Sequence, residues 1–102
     1  MSLVLVATIV PKPEHRDEVI AAITAAVASV HGEDGCELYA LNQAADRLVI
    51  IEKWASPEAL SVHRTAPALA ALGPALAGKV EGRTDVVVLE PVPAGDPGKG
   101  QV

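Results

Sequence analysis

The sequence predicts an α+β domain with the element order β-α-β-β-α-β, the split βαβ arrangement of a ferredoxin-like fold with an antiparallel sheet. Three observations carry this. Four short apolar runs rich in Val, Leu and Ile are bounded by Pro, Gly and Asp. A long amphipathic stripe falls between the first two of them, and a Pro-opened helical stretch falls between the last two. Finally, 102 residues are enough for one domain with one modest core.

The first strand is Leu3 to Val10, apolar in both phases. Pro11-Lys12-Pro13 ends it and opens a helix. In that helix Val19, Ile20, Ile23, Ala26, Val27 and Val30 recur at i, i+1, i+4, i+7, i+8 and i+11, one face of a 3.6-residue period. Gly32 closes the helix, and Glu33-Asp34-Gly35 forms a turn. Cys36 to Gln43 is the second strand, Ala44-Ala45-Asp46 a short connection, and Arg47 to Trp54 the third strand.

Ser56-Pro57-Glu58 reads as a helix start, with Ser as N-cap, Pro at the first helical position and an acid in the first turn. That helix stops near Ala66, before Pro67; a second piece, Ala68 to Ala77, is bent at Gly73-Pro74. Asp85 to Glu90 is the last strand. The right-handed crossover rule places the first and third strands side by side in the centre of the sheet. Residues 1–93 form the domain, and 94–102 are a tail with no core of their own, flexible or in contact with a partner.

Composition narrows the function classes. Thirteen acids against eight scattered bases leave a net charge of −5, which speaks against nucleic acid. No apolar run approaches the ~20 residues that span a bilayer, so no membrane is expected. The lone Cys36 forms no internal disulfide, fits a reducing, cytoplasmic setting, and reads as a buried inert thiol. No His, Cys, Asp and Glu cluster has metal-ligand spacing. With no Phe, one Tyr and one Trp, the core is aliphatic and the two aromatics stand at special places. The helices of such a fold cover one sheet face, yet the strands are apolar on both; the second cover is expected to be another copy of the chain, a homodimer joined sheet to sheet.

The segment from Glu52 to His63 concentrates the chemistry. Glu52 and Trp54 are two apart on a strand and share a face, and His63 lies three residues after Leu60 on a helix. His63 is either a neutral histidine satisfied within the core or a general base. Glu52 either pairs with Arg64 or Lys53 or orients His63, within 2.6–3.2 Å directly or through one water. Trp54 is a core residue or the wall of a pocket. Tyr39 either donates to a substrate oxygen or is half-exposed packing. Ile50 and Leu60 supply apolar lining.

Glu-x-Trp at the end of the third strand, Ser-x-Glu-Ala-Leu opening the helix, His63 after it, and the earlier Asp34-Gly35-Cys36-Glu37-Leu38-Tyr39 together resemble the antibiotic biosynthesis monooxygenase superfamily, in its quinol-monooxygenase-like branch. The resemblance implies a dimeric α+β barrel with a pocket between sheet and helices in each subunit. It implies oxidation by O2 of a small electron-rich aromatic substrate, hydroquinone or anthrone-like, without metal or cofactor. His63 would be the base, Glu52 its orienter and Trp54 the wall holding the ring, with Tyr39, Leu60 and Ile50 about the substrate. The alternatives are a non-catalytic small-molecule-binding or sensing dimer and, below it, a haem-binding protein. Haem-degrading relatives add an Asn on the first strand, and this strand has none.

Overall fold

The computed structural model describes residues 2–102. Strand β1 (Leu3–Pro11) leads through one 3-10 turn (Pro13–His15) into helix α1 (Arg16–Val30). Strands β2 (Cys36–Gln43) and β3 (Leu48–Trp54) form a hairpin, helices α2 (Pro57–Arg64) and α3 (Pro67–Leu76) follow, and β4 (Val80–Leu89) closes the sheet. The sheet order is β2-β3-β1-β4 with every neighbouring pair antiparallel, so β1 and β3 are central, as the crossover rule requires.

Helix α1 buries Val19, Ile23, Ala26 and Val30, and Ile20 and Val27 flank them half-buried. These meet Leu5 and Ile9 of β1 and Leu48 and Ile50 of β3 in one aliphatic core. On β3 the alternation is strict: Leu48, Ile50, Glu52 and Trp54 are buried against the helices, and Val49, Ile51 and Lys53 face the other way.

Several boundaries differ from the sequence reading by one residue, and two by more. Helix α2 ends at Arg64, not near Ala66, because Ala66 is already extended to let Pro67 begin α3. Strand β4 starts at Val80, five residues before the expected Asp85. Its first half, Val80-Glu81-Gly82-Arg83-Thr84, lacks an apolar pattern because it lies at a sheet edge. Backbone pairing holds it there: Glu81 lies opposite Val10 and Val80 opposite Pro11, past an irregularity in register between Thr8 and Val10.

The sheet face away from the helices carries Val6, Ile51 and Val87 in register across the three strands β1, β3 and β4. Val87 is 46% exposed and Leu89 43%. Beyond β4 the chain has no regular structure; Val92 is exposed, and the Asp96 carbonyl closes a turn by accepting from the Lys99 and Gly100 N–H groups. No helix among the described residues is long and apolar enough to cross a membrane.

Candidate active site

The site is built where β2, β3 and α2 meet. Glu52 lies on the helix-facing side of β3, directly opposite Tyr39 of β2. A bulge between Cys36 and Leu38 shifts the phase of β2, so that Cys36 pairs with Trp54 while Tyr39 also turns inward. Tyr39 is therefore only 4% exposed, not half-exposed. Helix α2 begins where expected: Ser56 caps it by accepting the Ala59 N–H at 3.1 Å, and Pro57 occupies its first turn. Its two buried residues are Leu60 and His63, one turn apart, and both press onto the face that holds Glu52 and Trp54.

His63 stands between two carboxylates. Its Nδ1 is 2.8 Å from Glu33 Oε1, and its Nε2 is 3.8 Å from Glu52 Oε1. The expected direct bond between Glu52 and His63 is thus not made, nor does Glu52 pair with Arg64 or Lys53. The physical reason is local: two residues along the same strand face, the Trp54 indole N–H donates to Glu52 Oε1 at 2.9 Å and holds the carboxylate. Trp54 in turn lies against the imidazole, with ring centroids 4.3 Å apart and planes at 31°. Tyr39 meets His63 edge-on at 5.6 Å. The chain's one Trp and one Tyr both touch this histidine.

Glu33 is the residue of this candidate site that the sequence reading missed. It lies in the turn between α1 and β2, and 30 positions separate it from His63. The signal lay next to it, in Gly35. This glycine has φ +80°, and a Cβ there would come within 2.5 Å of the Ala59 Cβ on α2. Its carbonyl accepts the Ala55 N–H at 2.8 Å. The Glu33-Asp34-Gly35 turn is therefore pinned to the start of α2, which brings Glu33 beside His63.

A carboxylate oxygen accepts, so the proton on the neutral imidazole belongs on Nδ1, and the lone pair of Nε2 is left for another partner. Among the described residues no hydrogen bond engages Nε2. Burial pushes the Glu52 carboxyl above its ordinary range; the Trp54 N–H and His63 oppose this, and the charge of Glu33 adds to it. Burial also pushes the Tyr39 phenol upward, reinforced by Glu52 and Glu33, so the phenol keeps its proton. Cys36 is half-buried, and burial raises its thiol, which keeps it unreactive.

The shift at Glu52 has a testable consequence. A carboxyl whose folded value exceeds its unfolded one keeps its proton in the folded chain after the unfolded chain has lost it. Stability from neutral Glu52 is complete below about the ordinary value of 4.5 and is lost as pH rises through the folded value. Glu52→Gln retains a carbonyl acceptor for Trp54 and removes the titration. Urea denaturation of both proteins across acid to neutral pH is expected to show the variant gaining on the wild type as pH rises from 4.5. Parallel curves would mean that Glu52 is not perturbed.

A cavity of about 290 Å³ opens between the sheet and helices α2 and α3. Tyr39, Ile50, Glu52, Leu60 and His63 line its buried end. Leu69, Leu72 and Leu76 of α3 form one wall, and Arg64, Thr84 and Val86 stand at the exposed mouth. Five of the six sequence-selected residues thus share this lining. Trp54 does not: it is completely buried behind His63, and so is no wall for a ligand ring. Among the described residues no group of three or more His, Cys, Asp or Glu is arranged to hold a metal ion.

The chain matches the family model described as antibiotic biosynthesis monooxygenase over residues 2–74. It is 35% identical over 65 residues to a Mycobacterium tuberculosis protein named "Putative monooxygenase Rv0793", a match covering 62% of this chain and 64% of that relative. The solved structure of Rv0793 superposes with a TM-score of 0.86 at 26% identity, covering 94% of this chain and all of the other. A Caulobacter crescentus structure named as a "putative antibiotic biosynthesis monooxygenase" gives 0.83 at 25% identity, with 89% of this chain and 90% of that one covered. A family match over residues 2–74, together with this fold, means that the chain belongs to the antibiotic biosynthesis monooxygenase family.

Proposed function

We propose that this protein is a cofactor-independent monooxygenase that oxidises a small electron-rich aromatic compound, hydroquinone or anthrone-like, with O2. The observation that carries the reading is the hydrogen-bonded pair of Glu33 and His63 at the lining of an apolar cavity, which leaves Nε2 without a hydrogen bond. Nε2 removes a phenolic or activated C–H proton from the bound ring. Glu33 holds the imidazole in the tautomer that leaves Nε2 free and stabilises the imidazolium that forms. The resulting anion passes one electron to O2, and the organic radical and superoxide recombine to a peroxide. For an anthrone the returned proton gives a hydroperoxide; loss of the remaining C–H proton to His63 then forms the carbonyl as the O–O bond breaks, and the departing hydroxide takes up that proton and leaves as water. Tyr39 donates to the substrate oxygen as its charge grows. Ile50 and Leu60 exclude water and hold the ring. Trp54 acts from behind, fixing the imidazole plane, and Glu52, at the buried end of the cavity, accepts the Trp54 N–H and fixes it in turn.

Oxygen uptake by purified protein against a panel of hydroquinones and anthrones tests this, with a product that has gained one oxygen atom from O2 and lost two hydrogens. Ligand binding without oxygen consumption across the panel would leave the non-catalytic binding reading in its place.

The working unit in this proposal is a homodimer joined through the open sheet faces. Support comes from the apolar residues that cross that face, since an uncovered patch of this kind is unusual on a monomer. Sedimentation equilibrium at micromolar concentration is expected to give twice the chain mass of 10.5 kDa. A stable 10.5 kDa species would refute the dimer.

A further inference from the structure

The cavity has two chemically distinct ends, and its mouth carries a charge for which the oxidation chemistry gives no reason. Arg64 is the one Lys or Arg in the lining, next in sequence to His63 and at the last residue of α2. Several other bases are engaged: Arg16 donates to the Ala44 carbonyl, Arg47 pairs with Asp46, and Lys79 pairs with Glu18. Among the described residues the Arg64 side chain makes no hydrogen bond and no ion pair. Lys12, Lys53, Arg83 and Lys99 are unengaged too, but none of them lines the cavity. Thr84 of β4, exposed and also in the lining, adds a hydroxyl.

We propose that Arg64, with Thr84, forms an anion subsite at the mouth, so that the cognate ligand is an aromatic compound bearing a carboxylate away from its reacting hydroxyl or C–H. This rests on the reading above only in taking the cavity as the ligand site. Polarity argues for a single orientation. The buried end holds Glu52, with Glu33 behind His63, and a carboxylate placed there would meet like charge and lose its water. At the mouth the same group meets a guanidinium that is still partly hydrated, and its two oxygens match the planar donor fork of arginine. The anion therefore settles at Arg64, and the opposite end of the ring is carried to His63 Nε2. The apolar leucines of α3 between the two ends fit the ring itself.

The test uses a matched pair of probes, 6-hydroxy-2-naphthoate and 6-hydroxy-2-naphthamide, which share ring and phenol and differ in charge. Isothermal titration calorimetry of the wild-type protein is expected to give at least tenfold tighter binding of the acid, about 1.4 kcal/mol. Arg64→Gln is expected to bring the acid to the affinity of the amide while the amide changes less than twofold, and Arg64→Lys to restore part of the preference. Added salt weakens the acid and not the amide. Equal binding of the two probes by the wild type, a preference that survives Arg64→Gln, or failure of both probes to bind would each overturn the subsite. If the charge preference follows Arg64 but no compound of the panel consumes oxygen, the subsite stands and the monooxygenase reading falls.

Discussion

Replacing His63 by alanine is expected to lower oxygen uptake on the cognate aromatic by about 10²- to 10⁴-fold, the contribution of a lost general base. The substitution takes away Nε2, the nitrogen of His63 that makes no hydrogen bond among the described residues, and leaves the cavity otherwise lined as before. Glu33→Gln provides the finer test. Glutamine is close in size to glutamate, but its amide presents either an acceptor or a donor to Nδ1. Half of the orienting information is therefore lost, and so is the charge that stabilises the imidazolium. A fall in kcat on the order of 10- to 100-fold is expected, as for other partners that orient a histidine, with KM little changed because Glu33 does not line the cavity. Glu52→Gln is expected to cost less than Glu33→Gln, because Glu52 stands 3.8 Å from Nε2 and is held by Trp54. Steady-state kinetics on the three variants checks the order. Activity of His63→Ala within threefold of wild type would remove the base, and larger losses at Glu52 than at Glu33 would reverse the assignment.

Trp54→Ala is expected to destabilise the fold by about 3–5 kcal/mol, the usual cost of emptying a buried aromatic site. In a domain of this size that lowers the melting temperature on the order of 20 °C. Trp54 leads the chain's fully buried side chains in volume, and it contacts both Tyr39 and His63. Its N–H is also the hydrogen-bond donor that Glu52 relies on. Trp54→Phe separates volume from hydrogen bonding. It keeps an aromatic ring but strips the donor from a buried carboxyl, at a cost of about 1–3 kcal/mol. In the Glu52→Gln background that second cost is expected to shrink, because a neutral amide left without the indole is easier to bury than a carboxylate. Thermal and urea denaturation of the single and double variants measures both terms. A loss under 1 kcal/mol for Trp54→Ala would mean that the residue is not the keystone of this corner.

Much of the architecture was legible because it depends on local periodicity. The α1 stripe from Val19 to Val30 and the cap Ser56-Pro57 each state an element and a facing direction within a dozen residues. The alternation of Leu48, Ile50, Glu52 and Trp54 was hidden in a run apolar in both phases, yet the two-residue spacing of Glu52 and Trp54 was enough to place them together. Strand β4 was half hidden, because an edge strand exposed on both faces carries no hydrophobic pattern and is recruited by backbone bonding to β1.

The candidate site divides along the same line. By itself the sequence determined that Glu52 and Trp54 share a strand face and that Leu60 and His63 share a helix face, because strand and helix periods are properties of the backbone and need no knowledge of distant contacts. Which carboxylate holds the histidine was decided only by the tertiary structure. The choice depends on two contacts that no local pattern encodes. Trp54 captures Glu52, and the Gly35 turn, packed without a Cβ on Ala59, delivers Glu33 from 30 residues away. Tyr39 is the same case: the β2 bulge, a matter of pairing with β3, turns it into the cavity. Hydrogen bonds of this kind are made between whichever partners the packed core leaves a few ångströms apart, and that selection is a property of the assembled fold.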